Sequence, residues 1–299
     1  MLADRDSMVL LATTAAVVAV MFWIVSGTLS KRIVMGLGVY IVPFIVVTLG
    51  LIPMLLATLL VGQYQIGLYS AFIAIIGGVF LSLGFIFAYM ALRKERLATT
   101  SAFVEIQPAA LVLLGIFVLG EQVTGIEIAG ILIVFLGSML VITTEKFRIN
   151  KNLLPALYAN ICWAIYWIIM TFSVTSAGTF ALPIFISRIA GMVVVLAYLM
   201  TNRKAVASLR NLGASMRGSR AVTVLVALTV IGAFVDSAGD TVFGITVGST
   251  VLAVGGALMA VAPMVVSFFG FLFYRERLRR IEIAGLLVMV FGAFILTVL

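Results

Sequence analysis

Four charged residues lie inside long apolar stretches of this chain: Glu105, Arg188, Asp236 and Asp240. A charge near the middle of a bilayer costs roughly 2.5–3.5 kcal/mol on insertion scales, so such a residue faces a partner or a wet cavity. Arg188 is the residue type that grips a carboxylate, and Asp236 is its natural counter-ion. At 1.5 Å of helix rise per residue, the two lie about 20 and 22 Å from the same surface, so they can meet. Two readings follow. Either they form a buried structural pair, or Arg188 holds a substrate carboxylate and closes a gate against Asp236. Asp240, one turn from Asp236, extends a polar stripe of Gly232, Asp236, Asp240 and Gly244 that suits a cavity wall. Glu105, next but one to Gln107 and one turn before Pro108, is the candidate for proton coupling, against the plainer reading of a protonated carboxyl bonded to a neighbouring hydroxyl. Asn160, Trp163 and Trp167 share one helical face, and Trp23 lies early in the chain. An aromatic wall suits cationic or aromatic ligands; the alternative is an interfacial tryptophan belt.

The elements that must carry these residues are membrane helices. The 299 residues are 64% hydrophobic and only 10% charged, with a mean hydropathy of +1.30. A soluble domain carries about 25% charged residues. Runs long enough to span a bilayer, about 20 residues each, cover 8–29, 37–61, 67–92, 97–119, 126–144, 153–173, 180–201, 221–243, 249–273 and 281–299. The first is too long for a signal-peptide core and is read as a retained helix. The fold class expected is an all-α polytopic membrane protein with ten transmembrane helices. No histidine and a single cysteine, Cys162, exclude disulfides, a Ser-His-Asp triad and His- or Cys-built metal sites. No phosphate loop of the GxxxxGK[ST] type occurs, and no lysine lies in a span for a covalent retinal. No catalytic residue, metal or cofactor is expected.

The net charge of +8 does not point to nucleic acid. All basic residues except Arg5 and Arg188 fall in the loops after the odd-numbered runs, where the positive-inside rule puts them. That rule places the odd loops in the cytoplasm and both termini outside a cell membrane.

The chain also repeats itself. Ile126-Glu127-Ile128-Ala129-Gly130 recurs as Ile281-Glu282-Ile283-Ala284-Gly285, an offset of 155 that also maps Glu121 onto Glu276, Gly137 onto Gly292 and Pro108 onto Pro263. A duplicated five-helix unit follows, residues 1–150 and 151–299, around a central cavity. Five is odd, so the second copy inserts inverted, the plan of many secondary transporters. Glu127 and Glu282, in the first turns of their helices, are expected to bond free backbone N–H groups. The glycines are expected to pack helices closely, and the prolines to bend them.

These residues resemble a known family. Tyr89-Met90-Ala91-Leu92, Pro108, Leu119-Gly120-Glu121, Gly130 and Gly137 are similar to the EamA-type repeat of the drug/metabolite transporter superfamily, and Pro263, Arg275-Glu276-Arg277-Leu278 and Gly285 to its second copy. Phe22-Trp23 resembles that family's early tryptophan position. The resemblance implies a basket of ten helices, a central cavity and outward transport of small metabolites, often amino acids. It also implies cytoplasmic termini, against the charge count here.

The function expected is therefore secondary transport of small organic metabolites by alternating access, an exporter of amino acids or related compounds. Protons are a candidate coupling ion, and a monomer suffices because one chain supplies both halves. The alternatives are an importer or exchanger of a quaternary amine or nucleotide sugar, and an intramembrane transferase, for which DxxxD supplies only half of a metal site. A receptor or structural protein would have no need of the duplication. In a cysteine-free background, Gln63→Cys is expected to react with a membrane-impermeant maleimide in intact cells, and Arg203→Cys only after permeabilisation. The reverse pattern would invert the orientation.

Overall fold

Proline and glycine set the boundaries that matter most. The computed structural model describes residues 2–94, 100, 117, 120, 124–142, 154–203, 205–206, 220–248, 259, 262–275 and 277–298. Within them the regular structure is helical, with no strand: α1 (Leu2–Leu37), α2 (Val42–Leu49), α3 (Leu51–Val61), α4 (Leu68–Lys94), α5 (Gly125–Ile142), α6 (Leu154–Ala177), α7 (Ala181–Thr201), α8 (Arg220–Gly248), α9 (Ala262–Tyr274) and α10 (Arg280–Val298). Among the described residues six spans are long and apolar enough to cross a membrane, with α2 and α3 together making one of them. Large apolar side chains such as Leu60, Leu68 and Met200 stand exposed on the outer surface. In water such a surface would be costly; in lipid it is the solvent-facing side. The chain is a multi-pass membrane protein.

The run at 97–119, with Glu105, Gln107 and Pro108, lies outside the described residues. So do Glu121 and Glu276, while Pro263 is the second residue of α9, next to undescribed positions. Two boundaries differ from the sequence reading. First, α1 continues past its apolar run to Leu37. Lys31 and Arg32 are therefore helical rather than in a loop, and the Lys31 Nζ donates to the Leu92 carbonyl oxygen at 2.8 Å, capping the end of α4. Gly38, at φ +88°, takes the left-handed conformation that stops α1. Second, the run at 37–61 is not one continuous helix. Pro53 has no N–H for the Leu49 carbonyl and its ring crowds that turn, and the helix breaks at Gly50 into α2 and α3.

Three helix pairs share the most extensive contacts: α1 with α8, α4 with α6, and α5 with α10. In each, glycine allows the approach. A Cβ on Gly239 of α8 would lie 2.7 Å from the Trp23 Nε1 of α1. A Cβ on Gly84 of α4 would run into the same atom of Trp163 on α6. Between α5 and α10 the contacts are reciprocal: a Cβ on Gly137 would lie 2.6 Å from the Gly285 carbonyl oxygen, and one on Gly292 would lie 2.8 Å from that of Gly130. Backbone faces backbone there, so neither partner can yield. Glu282, 1% exposed, accepts the Arg279 backbone N–H at 2.7 Å and its guanidinium at 2.8 and 3.0 Å, capping α10 as expected.

Overpacking of this kind costs about 1–3 kcal/mol per site. Gly137→Ala and Gly292→Ala should each lower the melting temperature in detergent, whereas Gly125→Ala, whose Cβ would meet nothing within 4 Å, should leave it nearly unchanged. Equal behaviour of all three would show that the α5–α10 contact is not close-packed.

Candidate functional site

Arg188 projects from the middle of α7 and is 0% exposed. It is the largest fully buried side chain described. A guanidinium so placed must find its partners within the protein, and each of its nitrogens has at least one. Nη1 donates to the Asp240 Oδ2 at 3.0 Å. Nη2 donates to the Asp236 Oδ2 at 3.0 Å and to the Ser237 Oγ at 2.9 Å. Nε and Nη2 also reach the Val47 and Val46 carbonyl oxygens at 3.4 Å. Those carbonyls belong to the last turn of α2, directly before the break. Gly50 at the break is required by proximity, because a Cβ there would meet the Arg188 guanidinium and the Ser237 hydroxyl. Pro53, Gly50 and Arg188 thus form one local arrangement. Close approach at Gly50 brings the guanidinium onto the α2 carbonyls of Val46 and Val47.

The two carboxylates have their second oxygens tied elsewhere. The Ser26 Oγ donates to the Asp236 Oδ1 at 3.4 Å, and the Trp23 Nε1 to the Asp240 Oδ1 at 3.1 Å. Both donors come from α1, which packs along α8. On the other flank the Phe85 ring lies 5.0 Å from the guanidinium carbon, a cation–π distance.

A cavity of about 160 Å³ adjoins this centre. Asp236 and Asp240 are among its lining residues, as are Phe85 and Tyr89 of α4 and Trp163 and Trp167 of α6. Trp23 completes the aromatic wall, with Trp167 at 6.0 Å between ring centroids and Phe243 at 5.2 Å. All three tryptophans of the chain line this one space. From the acidic pair the lining runs to Ser30 and Leu92, beside Lys31 and Arg93 at the basic-loop end of the helices. Toward the opposite end, described residues of α4, α6, α7 and α8 are in close contact. Ser70 and Ser173 exchange hydroxyl-to-carbonyl bonds of 2.6 and 2.8 Å between α4 and α6, and Ile184 and Phe180 close on Gly244.

The residues singled out from sequence come together in part. Trp23, Trp163, Trp167, Asp236 and Asp240 all meet at the cavity, and Arg188 joins the two carboxylates. Arg188 itself is not a lining residue and its partners are protein groups, so the geometry is that of the buried ion pair, widened to three members. Asn160 is buried one turn from Trp163 and is not among the lining residues. Gly232 and Gly244 do not open the cavity either. They accept Ile33 and Ile184 in close contact, so the small residues of that stripe serve packing. Glu105 and Gln107 lie outside the described residues. Ser26 and the α2 carbonyls were not singled out from sequence; Ser237 stood out only as a small neighbour of the aspartate stripe, and Phe85 only as the residue that the offset of 155 sets opposite Asp240.

A helical, lipid-facing chain with a charged centre beside an aromatic cavity defines a polytopic membrane protein. The comparisons give this class its family. The EamA-like transporter family model matches residues 10–143 and again 151–298. The chain belongs to the EamA-like transporter family and is a membrane transporter of small solutes. A solved structure described only as the crystal structure of a protein is 16% identical, with a TM-score of 0.70 over 96% of this chain and 98% of that one, and shares the fold. No curated protein matches.

Removing one partner of a buried ion pair costs about 3–5 kcal/mol. Arg188→Ala leaves two buried carboxylates uncompensated and should sharply lower the melting temperature in detergent. Asp240→Asn leaves one cation facing one anion and keeps an acceptor for Trp23, so it should unfold close to wild type. Equal destabilisation by both would contradict the charge balance described.

Proposed function

We propose that this protein is a secondary transporter that moves small ammonium-bearing metabolites, amino acids or related amines, out of the cell by alternating access. The observation that carries the reading is the cavity: a mid-membrane space walled by tryptophans and two carboxylates, its lining running toward the basic-loop end of the helices. Transporters bind solute near the bilayer midplane, between repeats. The positive-inside rule makes the accessible end cytoplasmic, which is where an exporter loads.

Ten helices in two inverted five-helix units, residues 1–150 and 151–299, account for the packing. Exchange of the units carries α1–α8 contacts onto α6–α4 contacts. Gly84 and Gly239 are 155 apart, and each receives a tryptophan from the facing helix. The same exchange carries the Gly137–Gly285 contact onto Gly292–Gly130. A two-fold scaffold of this kind can swap which end is packed and which is open. The chemistry breaks the symmetry, since Leu81 and Phe85 stand where the other half has Asp236 and Asp240. Protons are a candidate coupling ion, because two carboxylates facing one guanidinium leave one negative charge for a proton or a substrate cation to neutralise. Glu105 remains a second candidate for that role.

Reconstituted into liposomes preloaded with an unlabelled amine or amino acid, the protein should drive counterflow of the labelled compound. Asp236→Asn should reduce the initial rate by at least about tenfold. Leak-level counterflow with every ammonium compound tried would remove the transport reading of this site.

A further inference from the structure

The charges around the cavity do not treat the two ends of an amino acid alike. The described residues that line it include two carboxylates and no basic group. Arg188, the cation paired with them, is 0% exposed and engaged by Asp236, Asp240, Ser237 and the α2 carbonyls, with the Phe85 ring over it. Arg188 is the sole basic residue within the apolar runs, while Glu105 adds a further acid.

We infer that the site selects its substrate as a cation, reading the ammonium head against Asp236 and Asp240 and rejecting a free carboxylate. This rests on the transport reading given above and narrows it to organic monocations: amines, and amino acids only where the carboxyl is absent or masked. A carboxylate brought into the cavity would face the net negative charge of the Asp236–Asp240–Arg188 group, with no cationic donor among the described lining residues to offset its desolvation. An ammonium would instead complete the charge balance and gain the faces of Trp23, Trp163 and Trp167. Size limits the class further. A cavity of about 150 Å³ accommodates a single benzene ring, and this one measures about 160 Å³. A one-ring or short-chain amine matches this volume.

The test uses three ligands that differ only in their charged ends. Phenethylamine carries the ammonium alone, phenylalanine both groups, and 3-phenylpropionate the carboxylate alone. Binding to the full-length protein in detergent is measured by calorimetry at neutral pH, and counterflow of each compound is measured in liposomes. The amine should bind at least about tenfold tighter than phenylalanine, and 3-phenylpropionate should not compete. Asp240→Asn, which keeps a balanced Arg188–Asp236 pair, should lose that preference while remaining folded. Equal or tighter binding of phenylalanine or of the acid would overturn the inference, as would silence of all three or an unchanged preference in Asp240→Asn. Tight amine binding without counterflow would leave the cation selectivity standing and would count against transport instead.

Discussion

One guanidinium between two carboxylates, all in the membrane interior, is the interaction on which the rest of the structure depends. In such surroundings an isolated charge is too costly to keep, so each of the three must be supplied with partners by the fold. Several otherwise separate features exist to supply them. The second span breaks at Gly50, where Arg188 approaches and reaches the Val46 and Val47 carbonyls. Gly50 has no side chain because the guanidinium occupies that place. Ser237 sits between the two aspartates, one turn of α8 apart, and α1 lies close enough along α8 for Trp23 and Ser26 to donate to the remaining carboxylate oxygens. A change at any of these positions acts on the others through the same charge.

The scaffold around this centre is nearly symmetric, and the centre is not. Glycines at related positions admit tryptophans from related helices, and the α5–α10 contact is its own image under exchange of the halves. Yet one half offers Leu81 and Phe85 where the other offers Asp236 and Asp240. Under the proposed two-fold plan, the symmetric contacts supply the two interchangeable packings, and the asymmetric residues supply selectivity. Phe85 serves both ends of this arrangement. It lines the cavity and also covers the guanidinium, so the solute meets an apolar ring and two acids rather than a cation.

Much of this was legible in the sequence, for definite reasons. Charge is expensive in lipid, so Arg188, Asp236 and Asp240 stood out against apolar neighbours, and helix rise alone set Arg188 and Asp236 at one depth. The repeated Ile-Glu-Ile-Ala-Gly segment marked α5 and α10 as related elements, but not as partners in contact. What could not be read was direction. Periodicity shows that Gly232 and Gly244 share a stripe with the aspartates, but not that Ile33 and Ile184 fill the space they leave. It shows that Arg188 can meet a carboxylate, but not whether that carboxylate belongs to the protein or the solute. Backbone groups were also invisible, since the carbonyls of Val46 and Val47 that reach Arg188 have no sequence signature. Asn160 shared a helical face with Trp163 and still fell outside the lining.

The chain carries its own reporter of the central claim, because all three of its tryptophans line the cavity. Intrinsic tryptophan fluorescence of the purified protein, followed while a one-ring amine is titrated in, therefore observes the site and little else. The account predicts a saturable change in wild type, abolished in Asp240→Asn and insensitive to the matching carboxylic acid. A saturable response to the acid, or an identical response to the amine in wild type and Asp240→Asn, would contradict it.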